Sequence, residues 1–131
     1  MFLIKKSHLI ALLALSFLLS SCDPVAFWEF NVANNSTQPV RINFQADLSH
    51  LPDSTFLLQP GEERLIIEFE EIGGEAFDMY TDSIYAFEYI EAFQNDSVPT
   101  ISNLKSRQVW DFNELEKRRS EYRLNLVDDS F

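Results

Sequence analysis

The feature that most constrains the fold of this chain is a period of two in its apolar residues, repeated in short segments from residue 26 onward. Between residues 40 and 47, for example, Val40, Ile42, Phe44 and Ala46 alternate with polar side chains. Because successive side chains of a β-strand point to opposite faces, this pattern predicts a half-buried strand. The same reasoning predicts seven or eight short strands, at residues 26–33, 40–47, 55–58, 63–70, 76–80, 84–93, 98–102 and 122–127.

Turn-forming residues separate these segments, notably at 34–39 and 59–62 and at Gly73-Gly74. We expect the first two strands to form a hairpin, with Leu65, Ile67 and Phe69 of the fourth segment on one face. Residues 48–53 read as a loop, and the polar segment 113–120 as a solvated turn or short helix. Since no strand precedes a long amphipathic helix, the chain is predicted to be all-β, an antiparallel sandwich or barrel, and we favour the sandwich.

Length and composition set further bounds. With 131 residues the chain has room for one domain. Its formal net charge of −11 argues against nucleic-acid binding, because phosphate recognition needs a basic surface. The single cysteine excludes an intrachain disulfide and a thiolate-rich metal site.

The amino-terminal residues have the layout of an export signal. Lys5 and Lys6 precede an apolar run at residues 9–19, which is too short to span a bilayer that needs ~20 apolar residues. Two small residues, Ser20 and Ser21, then precede Cys22. The residues after this point carry 8 basic and 21 acidic groups, a net charge of −13.

The sequence Leu-Ser-Ser-Cys at residues 19–22 resembles a bacterial lipobox. The resemblance implies a diacylglycerol on the Cys22 thiol, cleavage before Cys22 and acylation (palmitate) of the new amino terminus. It implies a lipoprotein signal peptide at residues 1–21, a lipidated tether at 22–26 and a β-sandwich domain at 27–131. The alternative is an ordinary cleaved signal, with Cys22 left as a buried free thiol.

The lipobox implies residence in the bacterial cell envelope, anchored to the inner or outer membrane and facing the periplasm or the cell surface. Asp23 resembles the inner-membrane retention signal of enteric bacteria, whereas other phyla use acidic residues there for surface export. The sequence does not decide between inner-membrane retention and surface export.

Four further stretches resemble small uncharacterised lipoproteins of the Bacteroidota. They are residues 30–36 (F-x-V-x-N-N-S), 58–62 (L-x-P-G-E), 110–112 (W-x-F) and 122–131. This resemblance implies an immunoglobulin-like β-sandwich and an envelope location, and it implies no particular reaction.

The residues offer little for catalysis. Cys22 would be acylated, and His50 is the one histidine that follows it. Glu68 and Glu70 share a strand face and could serve as the paired carboxylates of a glycosidase, but such enzymes also need a deep cleft. We therefore predict no enzyme, no catalytic residue, no cofactor and no metal site, and a small hydrolase remains a residual alternative.

Charged and aromatic residues each admit two interpretations. Segment 62–96 carries eleven acidic residues against Arg64 alone, which predicts a solvated acidic face; carboxylates also suit calcium, but no ordered loop presents them. A late basic cluster forms either a solvated mixed-charge face or a dock for the acidic segment or a partner; it comprises Lys105, Arg107, Lys117, Arg118, Arg119 and Arg123. The alternating aromatic residues Trp110, Phe112 and Tyr122 predict core more than a ligand-stacking surface.

Three serines follow an aspartate and precede a threonine or apolar residue: Ser54, Ser83 and Ser97. The pattern resembles the O-glycosylation site of exported Bacteroidota proteins, and it is equally typical of ordinary turns.

Three functions follow as hypotheses. The first is a lipid-anchored, non-enzymatic envelope module that binds a protein or glycan through an edge strand or the aromatic-basic region. The second is a small periplasmic inhibitor or immunity-type lipoprotein whose acidic face blocks a hydrolase. The third is the residual hydrolase.

Overall fold

A computed structural model describes residues 24–47 and 53–131, and it shows two four-stranded sheets packed as a β-sandwich. The strands are β1 (Val25–Asn34), β2 (Val40–Ala46), β3 (Ser54–Leu58), β4 (Glu63–Ile72), β5 (Phe87–Gln94), β6 (Val98–Pro99), β7 (Trp110–Glu116) and β8 (Arg119–Leu126). The first sheet has the order β4-β1-β8-β7 and the second β3-β2-β5-β6. The predicted all-β sandwich is confirmed, and β1 begins within the predicted tether. The predicted antiparallel pairing holds for every strand pair of the described residues except β1 and β8, which are parallel.

The pairing of β1 differs from the predicted hairpin, which is wrong. β1 pairs antiparallel with β4 and parallel with β8, whereas β2 lies in the other sheet between β3 and β5. Asn34 lies where the chain passes from the first sheet to the second. Its buried amide nitrogen donates to the carbonyls of Gln38 and Leu58, and its Oδ1 accepts from the Ser36 backbone and hydroxyl. Leu58 belongs to β3, so the buried amide is satisfied at the point where the chain passes from the first sheet to the second.

Aromatic rings fill the space between the sheets. Phe30 is fully buried, with its ring centroid 4.9 Å from that of Tyr122, 5.4 Å from Phe87 and 5.6 Å from Trp110. Trp110 and Tyr122 are buried, and Phe112 is partly buried against Tyr122. The interpretation of these alternating aromatics as core is therefore confirmed.

β4 contains a bulge that divides its predicted apolar face. Phe30 pairs with Ile67, but the next residue, Asn31, pairs with Leu65, so Ile66 is the extra residue. Ile67 stays buried, while Leu65 is 48% exposed. The prediction that Leu65 shares the inner face is wrong, because an extra residue reverses the alternation beyond it.

Residues 73–86, here called the connecting segment, do not contain the strand predicted at 76–80. Three of their backbone groups bond to side chains of the first sheet. The indole of Trp28 donates to the Phe77 carbonyl (2.9 Å), Ser120 Oγ donates to the Ala76 carbonyl (2.7 Å), and Met79 N–H donates to the Tyr122 hydroxyl (2.9 Å). Side-chain partners of this kind satisfy an irregular backbone as well as a ladder does.

Two predictions near the carboxyl terminus also need correction. Segment 113–120 is not a solvated helix: β7 continues to Glu116, and β8 starts at Arg119 after a two-residue turn. Asn113 lies on the outer face of this hairpin, where it donates to Glu121 (3.1 Å), whereas Ser120 is buried. The predicted strand 98–102 is reduced to β6, since the chain leaves the sheet after Thr100 N–H bonds to the Ala92 carbonyl (3.1 Å).

The turn predicted at residues 59–62 is confirmed. Gly61 has φ +84°, a conformation that suits glycine, and Glu62 N–H donates to the Gln59 carbonyl (3.0 Å). Of the loop predicted at 48–53, residues 48–52 lie outside the described part of the chain.

Candidate binding surface

The two ends of the sandwich are distinguished by β1, which runs from one to the other. At its start, Gly73 N–H donates to the Pro24 carbonyl (2.7 Å), and we call this the proximal end. Beyond its last residue, Asn35 N–H donates to the Leu126 carbonyl (2.7 Å), and we call this the distal end. A ten-residue strand spans about 30 Å, so the ends are well separated.

A tight hairpin at the distal end joins β5 to β6. Asn95 and Asp96 have φ of 49° and 60°, a left-handed conformation that these residue types tolerate. Ser97 N–H closes the turn on the Gln94 carbonyl (3.2 Å), and Asn95 N–H donates to the Pro39 carbonyl (3.0 Å). The hairpin positions the residues that follow β6, the distal loop (residues 100–106).

A groove of about 340 Å³ separates the distal loop from the edge of β5. At one end Thr100 N–H bonds to the Ala92 carbonyl, and at the other Lys105 Nζ donates to the Glu88 carbonyl (3.0 Å). Alternate residues of a strand direct their backbone groups to the same side, so Ile90 also directs its N–H and C=O toward this groove. The β5 edge at Ile90 therefore borders this groove.

A second groove of about 200 Å³ lies on the other side of the distal loop, against the end of β8. Ile101 N–H donates to the Ser130 carbonyl (2.9 Å) and so ties the loop to the carboxyl terminus. Three exposed apolar residues belong to this region: Ile101 (78% exposed), Val98 and Val127 (43% each). We call them the distal apolar group.

Asp128 holds the distal end together. Its Oδ1 accepts from the Thr37 backbone N–H and hydroxyl and from Gln94 Nε2, each at 3.0 Å. The Thr37 backbone bond, followed by the side-chain bonds, holds the pKa of Asp128 below its usual value. The distal apolar group therefore lies on a surface that hydrogen bonds connect to β5 and to the turn after β1.

No motif or spacing in the sequence marks the distal apolar group. Val98 and Val127 fall at the ends of predicted strands, where a core position was the natural expectation. Ile101 indicates an exposed position better than Val98 and Val127 do, because it is a lone large apolar residue among Thr100, Ser102 and Asn103.

The basic cluster and the acidic segment meet within this domain. Arg123 pairs with Glu63 (2.9 Å), Arg119 with Glu29 and with Glu68 (3.4 Å), Lys117 with Glu75 (3.4 Å) and Arg107 with Asp78 (2.5 Å). The sequence left open whether the basic cluster is solvated or docks on the acidic segment or a partner. For these four cations, the structure shows docking on the acidic segment of the same domain.

A polar network anchors the connecting segment to the first sheet. The Arg107 guanidinium donates from Nε (3.1 Å) and Nη2 (2.5 Å) to the two Asp78 oxygens, and the Tyr122 hydroxyl donates to Asp78 Oδ1 (2.7 Å). The hydrogen bonds from Arg107 lower the pKa of Asp78 from 3.8, and those from Tyr122 act in the same direction. Burial, with the Asp78 hydrogen bond, raises the pKa of Tyr122.

Because the folded-state pKa of Asp78 is lowered, its carboxylate stabilises the fold above pH 3.8 and loses that contribution as the pH falls below it. We expect Asp78→Asn to cost on the order of 1–2 kcal/mol at pH 7, since charged hydrogen bonds contribute about 1.5–3 kcal/mol before screening. Urea unfolding at pH 7 and pH 3 should show the difference from wild type shrinking in acid. The exposed Asp82→Asn is the matched control, and an equal loss in both variants would contradict the network.

The remaining predicted site residues are dispersed. Cys22 and His50 lie outside the described residues. Ser97 is exposed in the β5–β6 turn, Ser54 begins β3, and Ser83 donates to the Lys105 carbonyl (3.2 Å).

The carboxylate pair of β4 is divided between two environments. Glu68 faces Arg119, whereas Glu70 lines a separate cavity of about 290 Å³ with Asp47 and Tyr80. Burial raises the pKa of the Tyr80 hydroxyl to about 12. Across residues 24–47 and 53–131, no group of three or more His, Cys, Asp and Glu side chains is placed to hold a metal ion. Within the same ranges, no helix has the length and apolar character needed to cross a membrane.

No protein-family model, no curated protein and no solved structure matches this chain.

Proposed function

We propose that this protein is a lipid-anchored, non-enzymatic module of a bacterial cell envelope that binds another envelope protein through its distal end. The anchor is the acylated Cys22 that the lipobox implies. The partner surface comprises the distal apolar group and the adjacent open edge of β5.

The amino-terminal sequence supports the anchor. A basic start, an apolar run of eleven residues, two small residues and the sole cysteine occur in the order that lipoprotein export requires. Pro24, the first described residue, follows Cys22 by two positions and lies at the proximal end. An anchor at Cys22 therefore leaves the distal end facing away from the membrane.

The observation that carries the binding role is the placement of the distal apolar group. Ile101, Val98 and Val127 are exposed at the end farthest from the anchor, beside two grooves. Exposed apolar residues scattered singly need no explanation, but a group beside formed grooves is typical of an interaction surface. Its position about 30 Å from the anchor suits contact with a second envelope component.

The chemistry of the surface favours a protein over a glycan. Ile90 presents backbone N–H and C=O groups to the larger groove, and an extended peptide bonds to such groups by adding a strand. The apolar side chains beside the groove would contact alternate residues of the same peptide. A glycan hydroxyl group would gain less binding free energy from contact with Ile101 and Val127.

The test is affinity capture of the full lipidated protein from its own membranes, with mass spectrometry of the recovered partners. We expect one stoichiometric envelope protein, lost with Ile101→Asp because the charge enters the apolar surface. Leu65→Asp, an exposed leucine on β4, is the matched control and should retain the partner. Recovery of no partner, or equal recovery with both variants, would contradict the proposed role.

The inhibitor hypothesis is tested by the same capture. A hydrolase recovered with wild type and lost with exposed acidic variants such as Glu71→Gln and Glu91→Gln would favour it. The ion pairs of Glu63, Glu68 and Glu75 with cations of this domain support the binding module instead, because they use part of the acidic segment internally.

A further inference from the structure

The proximal end carries its own exposed apolar residues, on three different segments. Ile72 ends β4, Phe77 belongs to the connecting segment and Leu115 lies near the end of β7; they are 72%, 61% and 47% exposed. The binding role proposed for the distal end makes no use of them.

These residues lie at one end of the first sheet. Ile72 pairs with Val25, and Ile72 and Phe77 line one cavity of about 250 Å³. Ala76 N–H donates to the Lys117 carbonyl (3.3 Å), which ties the connecting segment to the hairpin that contains Leu115. From β4 to β7 the sheet is about 14 Å wide, because neighbouring strands lie about 4.8 Å apart.

The tether sets how far this end can stand from a membrane. Two peptide steps separate Cys22 from Pro24, and fully extended they span about 7 Å. The headgroup layer on each side of a bilayer is about 5–8 Å thick. A lipid on Cys22 would therefore hold the proximal end within or directly against that layer.

We propose that the proximal end rests in the headgroup region of the bilayer, with Ile72, Phe77 and Leu115 in contact with lipid. This inference rests on the proposed lipid anchor. It adds a second, non-covalent membrane contact made by the folded domain, and it orients β1 along the membrane normal with the distal apolar group outermost.

Apolar contact, not charge, is the basis of this docking. Lys117 and Arg118 lie at the proximal end, but Lys117 pairs with Glu75, and Glu71 and Glu116 lie nearby. The end thus has no net positive charge to attract anionic lipid. We therefore expect the contact to be no stronger on anionic than on zwitterionic bilayers.

The experiment uses the full lipidated protein with one added cysteine, because the chain has no other cysteine than Cys22. Ile72→Cys and Ile101→Cys are labelled with an environment-sensitive fluorophore, and both positions are exposed enough to tolerate it. The proteins are reconstituted in phosphatidylcholine vesicles, with and without phosphatidylglycerol, that carry nitroxide lipids. We expect the label at Ile72→Cys to be quenched several-fold more strongly than at Ile101→Cys, and no more strongly on the vesicles that contain phosphatidylglycerol.

The outcomes separate the two proposals. Labelling of the wild-type protein at Cys22 would show a free thiol and overturn both the anchor and the docking. An acylated, vesicle-bound protein with equal quenching at the two positions would overturn the docking alone. Phe77→Cys gives a second readout at the proximal end and should behave as Ile72→Cys does.

Discussion

Phe30→Ala is expected to lower the free energy of unfolding by about 3–5 kcal/mol, the range found for a buried phenylalanine truncated to alanine. Phe30 is fully buried, and its ring packs against those of Tyr122, Phe87 and Trp110, which come from both sheets. The cavity would open at the centre of the sandwich, where rigid aromatic rings cannot close it. For a domain of this size the melting temperature should fall by about 12 °C or more.

The matched control is Phe77→Ala, the same substitution at a phenylalanine that is 61% exposed. It should cost much less, because the ring of Phe77 contacts Trp28 on one side and solvent on the other. Chemical denaturation followed by circular dichroism measures both. Similar losses for the two variants would contradict the placement of Phe30 at the core.

Cys22→Ser is expected to move the protein almost completely from the membrane fraction to the aqueous fraction. Each buried methylene of an acyl chain contributes about 0.8 kcal/mol, and stable anchoring takes two chains or one chain with a second signal. Serine has no thiol to accept the diacylglycerol, so the variant would keep only the weak apolar contact of the proximal end. Membrane fractionation and incorporation of a palmitate analogue measure the effect.

Ser20→Ala serves as the control, because it keeps a small residue within the lipobox and should leave fractionation unchanged. Persistent membrane attachment of Cys22→Ser, without label, would contradict the lipid anchor. The result would leave the description of the β-sandwich unaffected, since its first strand begins at Val25.

Most strands were predictable because their signal is local. The alternation of Val40, Ile42, Phe44 and Ala46 predicts β2 almost to the residue, and Pro60-Gly61 predicts the turn before β4. Strand partners were not predictable in this way. The alternation of β1 is the same whether it pairs with β2 or with β4 and β8, and only contacts between distant residues, such as the bond of Asn34 to the Leu58 carbonyl, distinguish the two.

The exposed residues of the candidate surface, like the strand partners, were not predictable from local sequence. Exposure is a property of the assembled sandwich, so Val98 and Val127 read as ordinary strand residues until the sheets are in place. The ion pair of Arg107 with Asp78 joins residues 29 positions apart, and no spacing rule relates them. The sequence did contain both charge clusters, but their pairing needed the fold.

By itself, the sequence determined the strand-built class of this protein, the position of most strands and turns, and the lipobox-like start that motivates the anchor, because each is encoded in residues close together in the chain. Only the tertiary structure decided which strands pair, which aromatic rings form the core, and which apolar residues remain exposed at the two ends. Those features depend on contacts between distant residues, whose free energy is realised only when the two sheets pack together.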